Sequence, residues 1–283
     1  MTVRDALNFG FQEFSKKKIE TPYLDASVLL AEALNLTKEK LFSRLPEHLS
    51  ENELEQYREF ISLRLSSMPV SYIRRKKEFF GLEFYVDPRV LVPRPDTETL
   101  VETALNLADN DPGIRSIHDV CTGSGCIAVS LKHERQDLFV TASDISDAAL
   151  EVFVLNARNL LRNEITWYKS DLLKNVPGRF NMICANPPYL TEDEVMEMKS
   201  AGWPEPENAL KAGPGGMDVI KRLITEAMDS LEPNGYLLIE GASSQMEEIK
   251  NLMKKEKYTD ILIRQDLAGR DRVITARKGA AET

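Results

Sequence analysis

The chain has 283 residues, 42% hydrophobic and 29% charged, an ordinary composition for a soluble globular protein and enough length for two domains or one large α/β domain. Its net charge of -9 and pI near 5.1 argue against broad contact with a phosphate backbone. No apolar run reaches the ~20 residues of a membrane span. The first five residues lack the apolar core of a signal peptide. Cys121, Cys126 and Cys184 with His48, His118 and His133 show neither a disulfide framework nor metal-ligand spacing, so the expectation is a cytoplasmic protein without a metal site.

From residue 2 to about residue 68 the pattern is helical. Leu7, Phe11 and Phe14 recur at helical spacing, Tyr23 to Leu34 is a denser apolar stretch, and Leu54, Tyr57, Ile61 and Leu65 form another stripe. Ser50 with Glu53 makes a capping box for the last of these helices. No strand pattern interrupts them, so residues 1–70 read as a small helical domain. Residues 71–94 read as a hairpin linker: Phe79, Phe80, Leu82, Phe84, Val86, Val90 and Val92 are strand formers around turn residues. Pro93 and Pro95 then stiffen the chain, Asp96 is expected to cap the next helix, and Glu98 to favour its first turn.

Residues 95–283 form the remaining domain. Strands are expected at 116–120, 139–143, 165–169, 180–185, 235–240, 260–265 and 272–277, with helices at 125–133, 147–162, 216–230 and 244–257. Such alternation implies a mostly parallel sheet covered on both faces. Only Asp266–Asp271 joins the last two strands, which predicts a hairpin and one antiparallel strand.

The first of these strands runs into Cys121-Thr122-Gly123-Ser124-Gly125 and then a helix. Glycines permit a tight turn and close approach of a ligand to the backbone, and the helix start offers unpaired N–H groups. Asp144 ends the next strand about 20 residues on, the spacing at which an acid meets a ribose diol. Loop and acid fit a nicotinamide dinucleotide and S-adenosylmethionine equally. Asp171-Leu172 follows the third strand, where an adenine edge would lie.

The fourth strand ends in Asn186-Pro187-Pro188-Tyr189. The two prolines fix the backbone and stop the strand. The Asn186 side-chain oxygen and the Pro187 carbonyl are two acceptors held side by side. Together they can take both hydrogens of a planar –NH2 and aim its nitrogen at an electrophilic methyl group, with Tyr189 offering a stacking face. A dehydrogenase has no use for this clamp, so the motif favours methyl transfer from S-adenosylmethionine.

Taken together, Glu78-Phe79-Phe80-Gly81-Leu82, Pro93-Arg94-Pro95-Asp96-Thr97-Glu98, the Gly123-Ser124-Gly125 loop, Asn186-Pro187-Pro188-Tyr189 and Gly269-Arg270-Asp271-Arg272 resemble the HemK/PrmC family of peptide-chain release factor glutamine methyltransferases. The resemblance covers nearly the whole chain, most closely from about residue 70. It implies a helical substrate-recognition domain, a hairpin linker and a seven-stranded Rossmann-like class I methyltransferase domain. It implies that residues 121–125, Asp144, Leu172 and Asn186 contact S-adenosylmethionine, that residues 186–189 grip a glutamine in the Gly-Gly-Gln loop of a release factor, and that Pro93–Glu98 wall the site. Cys121 and Arg75 depart from the pattern by standing where a glycine is usual, and Leu172 by replacing an aromatic. The alternative function is methylation of an exocyclic amine of adenine or guanine, since a base –NH2 is also planar. The acidic charge and the lack of a basic, aromatic-rich segment argue against that partner.

Overall fold

A computed structural model describes residues 1–280. The chain divides into two compact units, Met1–Lys76 with Met198–Pro204, and Lys77–Glu197 with the chain from Glu205 onward.

The first unit is helical: α1 (Val3–Lys16), α2 (Pro22–Ala33), α3 (Lys38–Ser43), α4 (Glu51–Leu65) and α5 (Val70–Arg74). The Ser50/Glu53 capping box is present, and Thr2 with Asp5 makes a second one. Phe14, Leu29, Leu30, Leu41 and Tyr57 are fully buried and form the core. The Tyr57 hydroxyl donates to the Ala26 carbonyl at 3.2 Å. It also explains Gly10 in mid-helix, because a Cβ there would lie 2.0 Å from that oxygen. Buried Asp25 is satisfied by Arg64 at 2.8 Å and by the Thr21 hydroxyl.

The second unit begins with a hairpin of β1 (Lys77–Phe79) and β2 (Leu82–Phe84), whose turn residues Phe80 and Gly81 both have positive φ, as a two-residue hairpin turn demands. Phe79 and Phe84 are buried in the core of this unit, and the Phe80 N–H donates to Glu98 at 2.9 Å. Asp96 does not cap the following helix. A short 3₁₀ turn, Pro95–Thr97, leads into α6 (Glu98–Asn110), and the Asp96 carboxylate instead pairs with Arg270 at 2.9 Å and Arg272 at 3.1 Å.

The sheet comprises β3 (Ser116–Val120), β4 (Phe139–Asp144), β5 (Thr166–Lys169), β6 (Phe180–Ala185), β7 (Leu231–Glu240), β8 (Thr259–Gln265) and β9 (Asp271–Arg277), in the order β5-β4-β3-β6-β7-β9-β8. Six strands run in one direction and β9 alone runs antiparallel to both its neighbours, which is the expected α/β architecture with its terminal hairpin. Helices α7 (Cys126–Glu134), α8 (Asp147–Leu160), α10 (Asp218–Ser230) and α11 (Met246–Lys255) follow the sequence pattern closely. α9 (Glu192–Ser200) was not expected from the sequence; Val195 is its single fully buried residue. The central strands are nearly continuous runs of buried residues, as a sheet covered on both faces requires. The chain goes outward from β3 to β5 and returns to lay β6 beside β3, so the carboxyl ends of β4, β3, β6 and β7 meet at a topological switch point, where open α/β sheets hold ligands. Among the described residues, no helix is long and apolar enough to cross a membrane.

Candidate active site

The parallel strands bring Cys121, Asp144, Asn186 and Glu240 to one edge of the sheet. The turn after β3 is tight: Cys121, Gly123 and Gly125 have φ of 60°, 54° and 84°, and the Gly125 N–H donates to the Thr122 carbonyl at 2.8 Å. A Cβ on Gly125 would lie 2.5 Å from the Phe153 ring, so this glycine is dictated by packing as well as by φ. Asp119, fully buried within β3, braces the turn from below. Its Oδ2 accepts from the Thr122 hydroxyl at 2.6 Å and the Ala128 N–H at 3.2 Å. Burial raises its carboxyl pKa to about 7. Sequence reasoning overlooked Asp119, although an acid inside an apolar strand was a visible signal.

Asp144 ends β4 with each carboxylate oxygen accepting one backbone N–H at 2.9 Å, Oδ2 from Gly123 and Oδ1 from Ser146. Each oxygen retains a second lone pair. Burial raises its pKa, and the backbone N–H groups of Ser146, Gly123 and Ile145 work against that shift. Asp171 is already engaged: Lys174 at 2.6 Å and Arg222 at 2.8 Å hold its carboxyl below the usual range. Leu172 adopts φ of 53° and buries its side chain in the apolar cluster beside the sheet. The three thiols are free, with pKa values raised by burial.

At the end of β6, the Asn186 side-chain amide donates through Nδ2 to the Thr97 hydroxyl at 3.1 Å. Pro187 and Pro188 are buried. The Tyr189 carbonyl accepts from Gln245 Nε2 at 3.0 Å, and Gly216 packs so closely that a Cβ on it would lie 2.6 Å from that carbonyl. Leu190 then pairs with the 210–212 segment through two backbone hydrogen bonds of 2.9 Å. Burial raises the Tyr189 pKa among the charges of Glu240, Arg272, Arg94 and Asp96. A second buried acid, Glu205, fastens the segment before α6, accepting from the Val92 N–H at 2.9 Å and Arg94 at 2.6 Å. Nothing local in the sequence ties residues 92–94 to a residue more than a hundred positions away.

These elements enclose a cavity of about 290 Å³. Of the residues singled out in the sequence, Cys121, Thr122, Gly123, Ser124, Asp144, Asp171, Leu172, Asn186 and Pro188 line it, together with Arg94, Thr97, Ile145 and Arg222. Gly125, Pro187 and Tyr189 do not. Gly125 is turned under Phe153, while Pro187 is buried behind the cavity wall and Tyr189 is half-buried beside it. The arrangement offers a mostly apolar slot whose wall carries both the Asp144 carboxylate and the Asn186 amide. Among the described residues, no group of His, Cys, Asp and Glu could hold a metal ion.

Comparison with known proteins places the chain by sequence and by fold. A family model described as the PrmC N-terminal domain matches residues 5–74, and one described as the methyltransferase small domain matches residues 97–201. The release factor glutamine methyltransferase of Clostridium acetobutylicum is 34% identical over 284 residues, 99% of each chain. That of Leptospira interrogans is 39% identical over 93% of this chain and 94% of its own, and that of Koribacter versatilis 37% over 98% and 99%. Among solved structures, a methyltransferase from Pyrococcus furiosus superposes with a TM-score of 0.51 at 19% identity, covering 72% of this chain and 92% of its own. A 16S rRNA N2 G1207 methyltransferase from T. thermophilus, solved with AdoMet and guanosine, gives 0.51 at 19% identity over 72% and 49%. The last two likenesses show the fold alone.

Proposed function

This chain belongs to the release factor glutamine methyltransferases, and from that membership and the geometry of the site we infer that it methylates the side-chain amide nitrogen of the glutamine in the Gly-Gly-Gln loop of peptide-chain release factors, using S-adenosylmethionine. The observation that carries the reading is Asn186, held by Thr97 at the end of β6 on the wall of a cavity that also contains the Asp144 carboxylate.

The cavity fits the cofactor class. Asp144 presents acceptors for a ribose diol, and the turn at 121–124 lines the cavity with backbone that carries no Cβ at Gly123. S-adenosylmethionine, when bound, supplies an electrophilic methyl group on a sulfonium that is a good leaving group. The work left to the protein is orientation. An amide nitrogen is a poor nucleophile because its lone pair is delocalised into the carbonyl. Asn186 Oδ1 and the Pro187 carbonyl accept its two hydrogens, fixing its direction and favouring loss of that delocalisation as the new bond forms. Tyr189 supplies an aromatic face for the flat amide. Methyl transfer turns –NH2 into –NH–CH3 with release of one proton.

The helical unit is the module we assign to recognition of the folded release factor, because one glutamine offers too little surface for specificity. The setting is cytoplasmic, in keeping with three free cysteines. The decisive experiment offers the protein labelled S-adenosylmethionine with a purified release factor, DNA or RNA, and maps the product by mass spectrometry. Label on the glutamine side chain is expected; label on a base establishes the nucleic-acid reading instead.

A further inference from the structure

Glu240 occupies a position that the clamp reading leaves unexplained. It is 1% exposed at the end of β7. Strands β6 and β7 are parallel with Ala185 opposite Ile239, so one step further Asn186 and Glu240 are lateral neighbours on the same face of the sheet. Thr97, also 1% exposed, completes the triangle. The Thr97 hydroxyl and the Asn186 amide both lie close enough to the Glu240 carboxyl to pull its pKa down, against burial that raises it to about 7. Its Oε2 has no hydrogen-bond partner among the described residues. A buried acid with an unmatched oxygen is costly, and its position beside the clamp calls for a reason.

We propose that Glu240, acting with Thr97, is the positioning residue that fixes the flip of the Asn186 amide, so that Oδ1 and not Nδ2 faces the acceptor nitrogen. Given the function inferred above, donor–acceptor logic assigns this role. A carboxylate only accepts. Placed beside a hydroxyl and an amide, it draws the Thr97 proton and the Asn186 –NH2 toward itself. Thr97 is then left with lone pairs for Nδ2, as its 3.1 Å contact requires. Both ends of the Asn186 amide are thereby assigned: nitrogen inward to Thr97 and Glu240, oxygen outward to substrate. With an apolar or donating group in place of Glu240, either flip is allowed, and the reversed one presents N–H to N–H.

Protonation reverses the logic, because a carboxylic acid can donate and no longer dictates the Thr97 proton. The charges that act on Glu240 are Arg272, which favours its ionised form, and Asp96, which opposes it. Tyr189 and Cys126, both with raised pKa values, are the remaining titratable groups that feel it. Turnover should therefore fall as pH drops through about 7.

The test uses the full chain with a release factor substrate. Glu240→Gln and Thr97→Val should each lower kcat on the order of 10- to 100-fold, the scale of a misoriented reacting group, with the KM for S-adenosylmethionine within about twofold of wild type if only transition-state orientation is lost. Thr97→Ser, which restores the hydroxyl, should recover most of the rate. The acid limb of the kcat profile should vanish in Glu240→Gln. Should Glu240→Gln fail to fold, Thr97→Val and its serine rescue decide alone. Wild-type kcat in both variants, alongside an inactive Asn186→Ala, overturns the proposal and leaves the clamp standing. An active Asn186→Ala removes the clamp itself and the proposal with it. A loss confined to cofactor KM also overturns it.

Discussion

Arg75 and Cys121, the two positions where the family resemblance led us to expect a glycine, have φ of 55° and 60°. The backbone there lies in the region that favours glycine, and this chain adopts it with strain. The left-handed region costs a non-glycine residue about 1–2 kcal/mol, while glycine costs roughly 0.5–1 kcal/mol in chain entropy. Cys121→Gly should therefore leave stability within about 1 kcal/mol of wild type. Cys121→Val, β-branched at positive φ, should lose about 1–3 kcal/mol. Urea midpoints of the two variants check this, and equal midpoints would mean the turn relaxes away from its present φ. Asp144 is the second residue-scale test. Asp144→Ala should weaken S-adenosylmethionine binding by about 1.5–3 kcal/mol, the range for hydrogen bonds to a charged group, as read by calorimetry. Because Asp144 also holds the Gly123 and Ser146 N–H groups, the variant should show faster amide exchange in the 121–125 turn. Unchanged affinity takes Asp144 out of the site.

Among the elements, β3 carries two polar residues into the middle of the sheet, and each has its own pH signature. His118 lies between the Thr141 and Ser143 hydroxyls at 2.7 and 2.9 Å and stacks on Phe180 at 4.8 Å. Burial pushes its pKa down to about 3 from an ordinary value of 6.5. Above pH 6.5 the ring is neutral folded or unfolded, so its contribution is constant. Below 6.5 the unfolded chain binds a proton that the folded chain refuses until about pH 3, and stability falls by roughly 1.4 kcal/mol per unit of pH across that window. Buried Asp119 works in the opposite direction, its raised pKa making stability fall as pH climbs from 3.8 to about 7. The His118 part is isolated by comparison with His118→Gln. The stability advantage of wild type over that variant should shrink on the order of 1 kcal/mol between pH 7 and 5.5. A constant advantage would show that His118 takes up its proton in the fold without penalty. The sequence made these elements legible where local pattern and burial agree: β3 and β6 have the expected bounds, because a strand buried on both faces is a mostly apolar run interrupted by few polar residues. It concealed α9, whose acidic EDEVMEMKS segment buries only Val195 fully. It misled at Asp96, because the partners that take its carboxylate, Arg270 and Arg272, arrive from the other end of the chain. Glu205, Glu240 and Gln245 were illegible for the same reason. Their meaning lies in backbone or side-chain groups that only the fold brings near.

On the scale of the whole molecule, the cavity belongs to one of the two units and the other has no part of it. The residues lining the cavity all belong to the sheet unit. The helical unit instead exposes a pair of aromatic rings where its first two helices meet. Phe11 on α1 and Tyr23 on α2 are 38% and 48% exposed, and their rings meet edge to face at 6.0 Å. Large apolar groups gathered on a surface mark sites of protein contact, and aromatic residues tend to dominate binding energy. If the helical unit recognises the release factor, the double variant Phe11→Ser, Tyr23→Ser should raise KM for the intact factor about tenfold or more, the loss of one hot spot. It should leave kcat/KM unchanged for a short peptide carrying Gly-Gly-Gln, which is too small to reach beyond the clamp. Neither ring belongs to the fully buried core of the unit, so thermal unfolding should stay within a few degrees of wild type. Equal losses on factor and peptide would place the effect in the chemistry and remove the recognition role from this patch. Unchanged turnover of the intact factor would move recognition to another face of the unit.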